Sequence, residues 1–401
     1  MRIPDATVRA VSGLTSRWAR TVSGPTVFSA AGVWPLLAFL ATAAQGTLRR
    51  DLLDAVGLPS GEPAAAARQL MAAMNELRGV DTALGLWTHR DLPLRAEWVA
   101  GLAAGTHGVL TGDLRADRAA LDAWAAERTD GLIRRMPAAL TDDTELVLAG
   151  ALALRTRWLR PFHEHPLMPE TGPWRGRELL GLYRRSTLLD RVGVADTPEG
   201  TVTELKVLGD QGTDVHLLLG EERMAPAQVL CAGLDVLAGG HQVLPGTRLP
   251  YGSPGPGLEV VREHSATPDP PTLDVTTVAY DLTAEHDLLA AHRVFGLTAA
   301  LHDPGAGQFP GISAHSPGIG AARQSAVAAF GALGFRAAVV TAITAVATGV
   351  PLLRHPTTEV RATFDRPFGF LALHRTSRLV LAAGWVTDPQ PFREGYPDIH
   401  L

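Results

Sequence analysis

The sequence predicts an α+β fold formed as a single domain. Three observations carry that expectation. Apolar residues recur at helical spacing through the first third of the chain. Short runs rich in Val, Leu and Thr, bounded by Gly and Pro, fill most of the remainder. No linker-like stretch divides the 401 residues, and helices segregated from strands are the α+β pattern.

Composition narrows the function classes. Hydrophobic residues at 46% and charged residues at 19% supply a large core. A net charge of −5 with no basic stripe excludes nucleic acid as a partner. The single cysteine, Cys231, excludes an internal disulfide and reads as a buried, inert thiol within an apolar run. Residues 1–24 scatter Arg2, Arg9, Arg17 and Arg20 and lack the apolar centre of a signal peptide, so a cytoplasmic location is expected. Residues 26–45 approach the length of a membrane span, but Ser29, Gly32, Pro35 and Gln45 interrupt them. A buried helix entered at Trp34-Pro35 is expected instead, and no membrane partner.

Taken in order, residues 6–22 place arginines opposite an apolar face and read as a surface helix. Residues 27–29 are strand-like and precede the buried helix. Gly46-Thr47 breaks it, residues 48–56 form the next helix with Gly57 as its stop, and 63–78 form another. Residues 84–87 read as a strand, and 94–102 and 116–136 as helices. Residues 144–154 suit a buried central strand, which periodicity alone does not separate from a helix. Strands are expected over 201–208, 215–219, 258–261 and 273–280, and a short helix over 286–295. The chain closes with strands at 360–364, 368–373 and 379–386, the last two joined by a turn at Arg375-Thr376-Ser377.

No catalytic constellation is legible. His163-Glu164-His165 puts two imidazoles on one face, but a zinc site needs a third protein ligand and none is near, so a solvated loop is expected. His286 and His292 do not share a helical face and read as surface residues. Gly318-Ile319-Gly320 lacks the lysine of a phosphate loop. Ser29 lacks the glycine frame of a nucleophile elbow. No metal and no cofactor are expected. Residues 331–355 are small, β-branched and almost uncharged, with Arg336 the only charge before Arg354. Such content suits a sheet interior, yet Gly349 and Pro351 lead it into a loop.

Three stretches, in the right order, resemble the serpin family. Residues 27–57 are similar to the family's Phe-x-Ser-Pro-x-Ser segment, its buried helix and the next helix. Within 121–162, Ala123-Trp124, Thr129-Asp130-Gly131-Leu132-Ile133, the 144–154 run and Trp158-Leu159-Arg160-Pro161-Phe162 match the family's long central block. Arg366-Pro367-Phe368-Gly369-Phe370-Leu371 and Gly384-Trp385-Val386-Thr387-Asp388-Pro389 match its two last strands. The chain is identified as a divergent, bacterial-type member. The resemblance implies helices packed on three β-sheets with an exposed reactive loop at 334–356. It also implies a serine protease as partner. In inhibitory members the protease cleaves the loop and is trapped as an acyl-enzyme while the loop enters the central sheet as a new strand.

On that resemblance the hinge is Gly334, Phe335, Arg336, Ala337, Ala338, Val339, Val340 and Thr341. The side chains entering the sheet are Phe335, Ala337, Val339, Thr341 and Ile343. Counting forward from Gly334 places the scissile bond near Thr348-Gly349. Counting back from Pro367 places it near Arg354-His355, with Leu352 and Leu353 as further bait candidates. The chain departs from the family at Ala332 and Leu333, where a hinge glutamate is usual, and at Phe335, where a small residue enters first. Phe335 is therefore expected to overpack the sheet at about 1–3 kcal/mol. Ser29, Gly32, Trp124, Gly150 and Gln324 occupy the shutter and breach positions, where most of the family's polar groups are missing. Two readings stay open: an inhibitor acting by loop insertion, or a non-inhibitory protein of this fold recruited for small-molecule binding or catalysis.

Overall fold

The computed structural model describes residues 3–58, 62–265, 267–302, 308–335 and 355–393. Asp5–Ala19 forms α1, which buries Val8, Val11, Leu14 and Trp18. Thr26–Phe28 (β1) leads into α2 (Trp34–Ala43), where Pro35 stands in the first turn and its missing N–H is no loss. α2 has no polar face and buries every residue but Thr42. α3 (Gly46–Val56) includes the predicted breaker at its start and stops at Gly57, whose φ of 66° is the left-handed capping conformation.

α4 (Pro63–Glu76), β2 (Val80–His89), α5 (Ala96–Gly101) and β3 (His107–Leu110) follow. α6 (Leu114–Arg128) begins at Asp113, whose carboxylate accepts from the N–H groups of Arg115 and Ala116. It stops well before residue 136, because Asp130 and Gly131 take φ of 50° and 72°. β4 (Leu146–Leu154) is buried at every position, which resolves the 144–154 run as a strand. The chain continues through β5 (Thr156–Arg157), β6 (His163–Leu167), β7 (Leu179–Ser186), β8 (Val192–Thr197), β9 (Gly200–Val207) and β10 (Thr213–Gly220). α7 (Pro226–Leu237), β11 (Val243–Pro245), β12 (Leu258–Ser265), β13 (Thr272–Val278) and β14 (Tyr280–Asp287) come next. α8 (His292–Phe295), α9 (Thr298–His302), β15 (Ile319–Phe330), β16 (Gly334–Phe335), β17 (His355–Thr363), β18 (Phe368–His374) and β19 (Val380–Val386) complete the order.

The strands form three sheets, ordered β1-β19-β18-β10-β9-β8-β11, β12-β17-β13-β7-β6 and β3-β2-β4-β15-β16-β5, with β14 also paired to β15. The main core, including α2 and the inner faces of the sheets, is one connected apolar cluster. A smaller cluster lies under α6, where Trp124 meets Trp87 edge-on at 5.7 Å between ring centroids.

Two expectations fail here. His163 and His165 lie in β6, paired to β7, not in a loop. His286 lies in β14, its ring against Trp18, rather than at the head of a surface helix. β7, β8 and α7 were not separately predicted, since turn-dense sequence hides short strands between its glycines.

Candidate functional site

The site is the seam between β4 and β15. These two strands pair directly and in parallel, from Ile319 opposite Leu146 to Val327 opposite Ala153. The sheet is therefore closed where a further strand would have to enter. Both strands are rich in alanine, so the interior packs tightly without large side chains spanning the seam.

Four of the predicted shutter residues meet beneath the middle of this seam. The Ser29 N–H donates to Gln324 Oε1 at 2.9 Å, and Gln324 Nε2 donates to the Ser29 carbonyl at 2.7 Å. Ser29 Oγ donates to the Leu381 carbonyl at 2.5 Å and accepts from the Gly32 N–H at 3.0 Å. Gln324 stands opposite Gly150 in register. A Cβ on Gly150 would lie 2.7 Å from the Gly32 carbonyl oxygen, so β4 can pass under this turn only without a side chain there. The polar groups that remain at these positions are thus fully engaged. One carboxamide clasps the backbone of β1's exit to β15, and the family's usual polar residues are replaced by close backbone approach. Gln324 and Ser29 are 0% and 1% exposed; the Gln324 amide is spent on the Ser29 backbone, and Ser29 Oγ on Leu381 and Gly32. Trp124 does not join them; it lies on α6 on the other side of the sheet.

Beyond Val327 the seam opens. The chain leaves β15 at Phe330, turns through 331–333, and returns as β16, a strand of two residues. Phe335 pairs antiparallel with Phe330 on one side and with Thr156 of β5 on the other. β5 continues the line of β4, so β16 is a wedge between the two strands at one end of the seam. A Cβ on Gly334 would fall 2.2 Å from the Thr156 carbonyl oxygen, which makes glycine necessary at that rung. The segment 158–162 straps the turn down. Trp158 N–H donates to the Leu333 carbonyl at 2.9 Å, Phe162 N–H to the Ala332 carbonyl at 2.8 Å, and the Trp158 indole N–H to the Gly331 carbonyl at 2.9 Å.

Phe335 is 1% exposed, its ring 6.1 Å from Phe370. Phe330 beside it packs on Trp158, Tyr280 and Phe162 at 4.8, 5.4 and 5.8 Å. The expected overpacking by Phe335 is therefore corrected. An aromatic pocket already holds the ring while the seam is closed. Sequence reasoning missed Phe370 against the Phe335 ring and the Trp158 and Tyr280 rings around its strand partner Phe330. The Trp-x-x-Pro-Phe match at 158–162 was the signal available. Of the other loop residues, Arg336, Ala337, Ala338, Val339, Val340, Thr341, Ile343, Thr348, Gly349, Leu352, Leu353 and Arg354 lie outside the described residues. His355 opens β17, exposed and opposite Ser265.

His286, opposite Gln324 across β14 and β15, ties β1 to the same region. Its Nε2–H donates to the Val27 carbonyl at 2.8 Å. Burial pushes the imidazole below its ordinary value, and the Val27 bond offsets this only in part. An unfolded chain therefore takes up this proton first as pH falls, from about 6.5 downward, so the folded state loses stability on acidification. Urea unfolding at pH 7.5 and pH 5.5 should show that loss in the native protein and a smaller one in His286→Gln. Equal losses would remove His286 as the source. Among the described residues no group of three His, Cys, Asp or Glu side chains converges as a metal site.

The comparisons with known proteins agree with this geometry. A family model described as serpin (serine protease inhibitor) matches residues 13–171. Putative serpin-Z6C of Oryza sativa subsp. japonica is 23% identical, over 92% of this chain and 91% of its own. Putative serpin-Z6A of the same species is 28% identical over 34% of this chain and 38% of its own, so that match spans well under half of the relative. Among solved structures, thyroxine-binding globulin in complex with thyroxine superposes with a TM-score of 0.69 at 17% identity, over 96% of this chain and 99% of that one. Serpin48 of the insect Tenebrio molitor superposes at 0.68 with 15% identity, over 95% and 98%. At such identities the structural likeness speaks to the fold. The family model on its first part and that fold along nearly all of it support membership in the serpin family.

Proposed function

We propose that the protein is a serine protease inhibitor acting by cleavage and insertion of the 334–356 loop. The observation that carries this reading is the wedge. β4 and β15 are closed along their paired length, yet Gly334-Phe335 already stands between β15 and β5 as the first rung of an intervening strand. Extending that rung requires only that the parallel pair unzip from its open end, each step exchanging one ladder of backbone bonds for two. The small residues Ala337, Val339 and Thr341 follow at alternate positions and suit a buried face. The bait residue is drawn from Thr348 to His355. A panel of serine proteases tests the reading. An SDS-stable covalent complex and a large rise in melting temperature on loop cleavage are expected. Cleavage that yields neither would end it.

A second reading, small-molecule binding, is favoured by one cleft. It lies between α1, α7 and the β18–β19 turn, with a volume of about 420 Å³, and its lining includes Val8, Arg9, Ser12, Leu234, Asp235 and Arg378. That volume and mixed lining suit a compact ligand with an apolar body and charged ends, and a structural relative was solved in complex with thyroxine.

A further inference from the structure

A pocket of about 80 Å³ lies on the outer side of the 158–162 strap, lined by four cations: Arg160, Arg184, Arg191 and Lys206. No carboxylate lines it. Leu159 and Leu208 form part of its apolar wall, and Leu159 N–H donates to the Leu208 carbonyl at 3.0 Å.

The cations are incompletely compensated. Arg191 reaches Asp190 at 3.4 Å, but Asp190 is 60% exposed, which leaves the pair weak. Lys206 reaches Glu204 at 3.4 Å, and that carboxylate already holds His216 at 2.6 Å. Among the described residues Arg160 and Arg184 have no carboxylate partner. Arg184 is only 8% exposed. It donates from Nη1 to the Arg160 carbonyl at 2.8 Å and stacks on the Phe162 ring at 4.3 Å. A guanidinium carries five N–H donors, and Arg184 holds no sealed nitrogen without a partner. Its remaining donors are therefore accessible, and Arg184 lines the pocket. Burial, and then the like charges of Arg160 and Arg191, lower its pKa to about 10, as befits a cation lacking its counter-ion.

We propose that this pocket is a binding site for a phosphate group, either free phosphate or the head of a small phosphomonoester. The volume admits a compact tetrahedral oxyanion. The forked donors of Arg184 and Arg160 match its oxygens, and Arg191 and Lys206 add charge at the mouth. The leucines would take the apolar part of an ester. Because Arg184 bonds the strap carbonyl between Trp158 and Phe162, the bound anion would sit directly behind the segment that holds the 331–333 turn.

Titration calorimetry of the intact protein with inorganic phosphate and with phenyl phosphate tests this, with acetate as control and no protease present. Failure here is thus distinguishable from failure of the inhibitor reading. Saturable binding of phosphate is expected, weakened at least about ten-fold in Arg160→Gln and in Arg184→Gln and unchanged in Arg118→Gln on α6. Tighter binding of phenyl phosphate assigns the site to an ester; equal affinity assigns it to the free anion. Since Arg184 is buried and its variant can fail to fold, the exposed Arg160 and the half-buried Arg191 carry the decision. No saturable heat at about 10 mM phosphate, many times the usual metabolite-site Kd, would overturn the proposal. So would affinity unaltered in Arg160→Gln and Arg191→Gln.

Discussion

Gln324→Leu should destabilise the intact protein by about 2–6 kcal/mol. Leucine fills nearly the same volume but removes both bonds to Ser29, stranding a buried N–H and a buried carbonyl at about 1–3 kcal/mol each. Neither group has a substitute nearby, because the Ser29 hydroxyl is already committed to Leu381 and Gly32. Water cannot easily replace the amide, since Gly32 and Gly150 approach too closely to leave room even for a Cβ. Urea unfolding monitored by tryptophan fluorescence gives the number. A loss below about 1 kcal/mol would mean that the clasp is ordinary core packing and not a lock on the seam. The same substitution should make the seam easier to open, so insertion of the cleaved loop should be faster in Gln324→Leu.

Phe335→Ala should cost about 3–5 kcal/mol, the range for emptying a buried aromatic position. Its diagnostic value lies in where the cost falls. Phe335 is buried before the loop is cut, and it stays between β15 and β5 if the loop then inserts. The intact and cleaved forms should therefore lose stability alike, and the gain on cleavage should be unchanged. Denaturant unfolding of both forms measures this directly. If only the cleaved form were weakened, Phe335 would be exposed in the intact protein in solution, and the wedge would not exist there.

How much of this was legible varies with the kind of signal. Long runs with one period were readable: the buried α2 from its unbroken apolar content, α3 from its Gly57 stop, and the closing strands β18 and β19 from alternation and turn residues. β7 and β8 were not readable, because each is short and flanked by glycines and charges that mimic loops. α6 was overextended because its apolar stripe continues through Leu132 and Ile133, while its end is set by left-handed backbone at Asp130 and Gly131.

For the site, family resemblance pointed to Ser29, Gly32, Gly150, Gln324 and Gly334-Phe335, but not to the contacts they make. Glycine in a sequence looks like a missing side chain. In the fold, Gly150 and Gly334 are places where another backbone passes within contact distance. Phe335 looked like an obstruction because the ring it packs on, Phe370, and the Trp158 and Tyr280 rings around its strand partner Phe330 come from distant segments. The basic pocket was invisible for the same reason: Arg160, Arg184, Arg191 and Lys206 are scattered among neutralising acids along the chain.

By itself, the sequence determined the α+β class, the order of the major elements, the family and the positions that line the seam. These follow from local periodicity and from short motifs. Only the tertiary structure decided that the seam is closed, that its first rung is already occupied, and that one glutamine replaces a polar network. Each of those depends on which distant backbones touch, and contact at that range is set by packing, which no single stretch of chain encodes.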